Sequence, residues 1–105
     1  MIKKLLFTLF LFTATIGFSQ KSLSKLTAAP NPFVNETQIK FESDSDQTIV
    51  LVVKNVLGKT VYNKKHKVKK GKNSIPFTKD RLKSGMYIYA IRNSKELISK
   101  RFVIK

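Results

Sequence analysis

The chain carries a single imidazole, His66, set inside Lys64-Lys65-His66-Lys67. Neighbouring ammonium groups disfavour a further positive charge on the ring, and no acid stands near it in sequence to orient it as a general base. One histidine and no cysteine leave neither a nucleophile–histidine–acid triad nor a His- or Cys-based metal site. His66 therefore reads as an exposed strand residue. Four of the six acids, Glu36, Glu42, Asp44 and Asp46, fall in one stretch. Asp44-Ser45-Asp46 has the spacing of a partial Ca²⁺ loop, yet no third carboxylate at loop spacing completes the shell. Pairing of these acids with the lysine-rich half is the simpler reading. Neither enzymatic activity nor a cofactor is expected.

Positive charge is the other chemical resource. Lys and Arg total 21 against 6 Asp and Glu, a formal net charge of +15 with a sequence pI near 10.3. Lys64, Lys65, Lys67, Lys69, Lys70 and Lys72 fall together on a predicted hairpin and its turn. Such a cluster is either a solvated face that keeps a small domain soluble or a site for anions. Arginine occurs only at Arg81, Arg92 and Arg101, without interleaved aromatics, which argues against nucleic acid. Lipopolysaccharide or another anionic surface fits compact lysine charges as well. A secreted adhesion or anion-binding module built on these lysines is one function the sequence allows.

The N-terminus changes where that charge acts. Lys3 and Lys4 precede an uncharged, mainly apolar run from Leu5 to Phe18, the pattern of a secretory signal peptide over residues 1–19. Cleavage after Ser19 places Gly17 and Ser19 at the small-residue positions a signal peptidase reads. The apolar run is shorter than a spanning helix of about 20 residues, so no transmembrane span is expected once the signal is cut. The charge then falls only from +15 to +13, because only Lys3 and Lys4 leave. The exported remainder has no cysteine and must hold together by its core alone.

Several short elements must build that core. Residues 20–27 mix Lys, Ser and Leu without sustained periodicity and read as a tether. Pro30 and Pro32 flank Asn31, which excludes a helix or central strand there and suggests a stiffened junction. Thr37, Ile39 and Phe41 alternate with Gln38 and Lys40 as a half-buried strand should. Thr48–Val53 is apolar on both faces and predicts a central strand covered on each side. Gly58 lies in a turn before extended Thr60–Val68, and Pro76 confines Ser74–Thr78 to a sheet edge. Lys79–Ser84 is a loop anchored by Leu82, and Gly85 then opens the most strand-like segment, Met86–Ile91. Asn93–Glu96 closes a hairpin onto Leu97–Ile104. The spacing, with no convincing helix, predicts an all-β sandwich of about six or seven strands.

Four pieces in order, Ala29-Pro30-Asn31-Pro32-Phe33, Val56-Leu57-Gly58-Lys59, Leu82-Lys83-Ser84-Gly85-Met86-Tyr87-Ile88-Tyr89 and Lys100-Arg101-Phe102-Val103-Ile104-Lys105, resemble the C-terminal sorting domain of the type IX secretion system of Bacteroidota. The resemblance covers residues 28–105 and implies a small immunoglobulin-like β-sandwich of antiparallel strands. It also implies Sec export to the periplasm, recognition by the outer-membrane translocon, and a fate in the medium or on the cell surface. A surface sortase that attaches cargo to lipopolysaccharide is a further implied partner. Pro30, Asn31, Pro32, Gly58, Gly85, Tyr87, Lys100, Phe102 and Lys105 are the positions that match the motif. Only residues 20–27 separate the predicted signal from this domain, so a nearly stand-alone sorting domain is expected. The terminal strand is the expected recognition element, read by edge addition and charge.

Overall fold

The computed structural model describes residues 21–105, and the predicted signal peptide lies outside them. Seven antiparallel strands are present: β1 (Leu23–Ala29), β2 (Glu36–Ser43), β3 (Gln47–Asn55), β4 (Thr60–Val68), β5 (Gly71–Thr78), β6 (Gly85–Arg92) and β7 (Leu97–Ile104). They form a three-stranded sheet ordered β1-β2-β5 and a four-stranded sheet ordered β4-β3-β6-β7. The alternation read from the sequence becomes the inward rows. Ile39 and Phe41 face Ile49, Leu51 and Val53 across a shared core that also takes Ile75, Phe77, Tyr89, Ile91 and Phe102. The β-sandwich expected from the spacing is thus the observed architecture.

The predicted tether is in large part a strand. Leu23 and Leu26 are fully buried although they stand three residues apart. The cause is a bulge in β1 at Ser24–Thr27, where Lys25 adopts φ 55° and turns both leucines inward. Lys25 itself points outward and pairs with Glu42 at 3.0 Å. Pro30 and Pro32 accordingly do not stiffen a junction ahead of the sandwich. They lie inside it, between β1 and β2, and both peptide bonds preceding them are cis.

Two other expectations are corrected. β3 is central in its sheet, but it is covered on one face only, with Val50 and Val52 half-buried on the outside. No helix occurs among the described residues to cover that outer face. The lysine-rich segment is also not a hairpin. β4 pairs with β3 and β5 with β2, so the chain crosses from one sheet to the other at Lys69–Lys70. Pro76 does sit on an edge strand, β5, where a missing N–H is tolerated.

The end of the sandwich that carries this crossing is tied together by polar side chains. Asn93 Oδ1 accepts the amides of Lys95 and Glu96 at 2.9 Å, and its Nδ2 donates to Ser22 Oγ and Gln47 Oε1 at 2.8 Å. The Glu96 carboxylate accepts from the Ser22 hydroxyl and the Leu23 amide, which fastens the start of β1. Asp46 Oδ1 accepts the Lys70 amide at 2.8 Å, so an acid of the Asp44–Asp46 turn is committed to the lysine corner.

Candidate functional site

An aromatic cluster organises the opposite end. The Phe102 ring stacks on Tyr89 at a centroid distance of 5.0 Å, meets Phe33 edge-on at 5.1 Å and lies 5.4 Å from Phe77. Phe77 belongs to the three-stranded sheet and Phe102 to the four-stranded one, so these rings join the layers. Phe33 packs edge-on against Phe77 as well, at 6.4 Å. Tyr87 is buried and spends its polar tip on the Lys83 carbonyl at 2.7 Å, which holds the β5–β6 loop down.

The four motif segments, far apart in sequence, meet around this cluster. Asn55 pairs with Tyr87 and Gly85 with Ile104, so the β3–β4 turn, the start of β6 and the chain's last residues share one end. The Lys79 amide donates to the Asn35 carbonyl at 2.8 Å and adds the β1–β2 segment to that end. Gly58 holds φ +84° in the β3–β4 turn and Gly85 φ +147° at the head of β6. A methyl group would meet nothing within 4 Å at either, so glycine is needed there for backbone conformation alone. Asn55, which the motif does not single out, caps the turn by accepting the Leu57 and Lys59 amides at 3.0 Å. An Asn three residues before a turn glycine is the signal that identifies such a cap.

The terminal strand is an edge strand, but its last half is not open to strand addition. The Asn31 side-chain amide donates to the Arg101 carbonyl at 3.3 Å and accepts the Val103 amide at 3.0 Å. Phe33 continues the pairing, donating to the Val103 carbonyl at 3.0 Å and accepting the Lys105 amide at 2.8 Å. Asn31 and Phe33 thus stand in for an eighth strand, and the Thr37 hydroxyl fixes the segment by donating to the Pro30 carbonyl at 2.6 Å. Edge addition along Arg101–Lys105, expected from the sequence, is therefore precluded in the closed fold. Lys100 lies in the inward row between Ile98 and Phe102 yet is exposed at the sheet edge, and Pro32 and Lys105 are exposed as well.

Beside these polar groups the motif end leaves three apolar side chains open. Val34 is 58% exposed, Val56 66% and Leu57 89%. Val56 and Leu57 form the tip of a turn closed by the Asn55–Lys59 and Gly58–Asn55 backbone bonds, and covering them would stabilise the complex with a partner.

The six lysines sit elsewhere and do not form one patch. All are exposed, but Lys65 and Lys67 stand in the outward rows of the four-stranded sheet, Lys64 in the inward row at its edge, Lys69 and Lys70 at the crossing, and Lys72 beside Glu42 on the other sheet. His66 is half-buried rather than exposed, with its Nε2 3.2 Å from the Tyr62 hydroxyl. Burial first, and the Lys64 ammonium second, hold its pKa below the ordinary 6.5. The folded state therefore takes up this proton less readily than the unfolded chain. The stabilising contribution is complete above about pH 6.5 and is lost as the pH falls below it towards the folded value. Thermal melts at stepped pH are expected to show a smaller drop in Tm for His66→Gln than for the wild type across that window. Equal drops would leave His66 without a role in the acid sensitivity.

A family model described as a secretion system C-terminal sorting domain matches residues 27–105. No curated protein matches the chain.

Proposed function

Since the chain belongs to the family of type IX secretion C-terminal sorting domains, we propose that it is a non-enzymatic targeting module that meets the secretion machinery with the motif end of its sandwich. The family assignment carries export, and a destination in the medium or on the cell surface, with it. The single observation behind the finer reading is the convergence of all four motif segments on one end, where Val34, Val56 and Leu57 stay exposed. Gly58, Gly85, Tyr87 and Phe102 act by shaping that end, and Pro30, Asn31 and Pro32 by sealing the last strand. Lys100 and Lys105 contribute exposed charge beside it. The chain reaches the periplasm through Sec behind its signal peptide. Any sortase cut falls before Leu23, because that residue's side chain is buried and its amide is held by Glu96. The corner lysines keep the domain soluble.

A reporter exported by Sec and fused ahead of residues 20–105 is expected to leave the cell in a host with the translocon and to stay periplasmic in a host without it. Val56→Ser/Leu57→Ser is expected to lower that export severalfold while Tm changes little, since both side chains are solvated already. A reporter held in the periplasm while a control sorting domain exports it would sink the proposal. Full export by the double variant would move recognition away from this end.

A further inference from the structure

The outer face of the four-stranded sheet has a composition that the proposed recognition tip of Val34, Val56 and Leu57 does not account for. Its cross-strand rows read Lys65, Val50, Arg92, Leu97, then Asn63, Val52, Ala90, Ser99, then Thr60, Lys54, Ile88, Arg101, with Met86 beside Val103 below. Leu97 is 59% exposed, Met86 43% and Ile88 40%. The small residues of the second row leave a shallow furrow of about 530 Å³ between two rows that carry cations. No acid occurs in β3, β4, β6 or β7. The outer face of the other sheet is different, since it is polar, presents Glu36 and Glu42 among its lysines and holds the Lys25–Glu42 pair.

From this arrangement we infer that the face docks on an anionic lipid surface. A second copy of the chain would set cations against cations. Residues 1–20, whose only charges are Lys3 and Lys4, would do the same. An acidic protein partner is the less suitable occupant, because protein interfaces keep their centres poor in charge, lysine above all, and confine it to the rim. Here Lys54 lies within the face, between Thr60 and Ile88, and Ala90 and Ser99, also of types that protein interfaces disfavour, fill the row beside it. Cations on long stems interleaved with short apolar side chains suit a surface in which phosphates and acyl chains are themselves intermixed and mobile.

The test uses residues 21–105, which contain all seven strands and their core, with phosphatidylcholine vesicles that do or do not carry a one-third share of phosphatidylglycerol. Sedimentation is expected to show binding only to the anionic vesicles. Lys54→Gln/Arg92→Gln should weaken it roughly thirtyfold. Ile88→Gln/Leu97→Gln, at unchanged net charge, should weaken it about tenfold. Lys70→Gln/Lys72→Gln removes the same two charges away from the face and should weaken it far less. Equal losses from both charge pairs, with no effect of the apolar pair, would overturn the inference in favour of unspecific attraction. Absence of binding to anionic vesicles, or tighter and face-dependent binding to soluble polyglutamate, would overturn it as well. Each variant's melt verifies that the sandwich is intact. Val34, Val56 and Leu57 are unaltered in all of them, so reporter export remains a separate readout.

Discussion

Phe102→Ala is expected to cost roughly 3–5 kcal/mol of folding free energy, the range for truncating a fully buried aromatic. The ring is fully buried and touches both sheets through Phe33, Phe77 and Tyr89, so its loss opens a cavity that neither layer can close alone. Domains of this size have about 5–15 kcal/mol in total, so much of the fold would be lost near physiological temperature. Urea titration followed by far-UV circular dichroism measures the effect, and Phe102→Leu should recover a good part of it. A shift of less than about 1 kcal/mol for the alanine variant would show that the two sheets hold together without this ring.

Phe33→Ala should be nearly as damaging, also roughly 3–5 kcal/mol, with a second consequence that Phe102→Ala lacks. The buried Phe33 ring positions the backbone that pairs with Val103 and Lys105. Without that anchor the outer edge of β7 is freed, and a bare edge strand recruits other chains. Concentration-dependent association is therefore expected by light scattering, together with fast hydrogen exchange at the Val103 and Lys105 amides. Asn31→Ala removes only exposed hydrogen bonds and should cost about 0.5–1.5 kcal/mol, yet raise exchange at the Val103 amide. Protection at Val103 and Lys105 equal to wild type in Phe33→Ala would show that the edge is closed by something other than this segment.

Strands that alternate cleanly were readable in advance. β2, β5, β6 and β7 show their inward rows as every second residue, and Gly58 and Pro76 mark the turn and the edge that the structure contains. β1 escapes the same reading because the bulge at Lys25 breaks the two-residue period and sets Leu23 and Leu26 three apart. The lysine segment shows a different limit. Alternation marks a strand but not its partner, so two strands joined by a Gly-containing turn look like a hairpin even when each pairs with a distant strand. The same holds for Asn31, whose partners on β7 lie 70 and 72 residues away. Its identity signals a turn former, and only the fold brings it against a strand edge.

The Asn31–Val103 contact also sets an order of events. The groups that close the sandwich stand near the two ends of the domain, so a chain made from its N-terminus supplies the second set last. Until Phe102 is in place, the rings of Phe33 and Phe77 lack their central partner. The closure that shields the edge of β7 is thus a long-range contact, and a chain that lacks its last residues cannot make it.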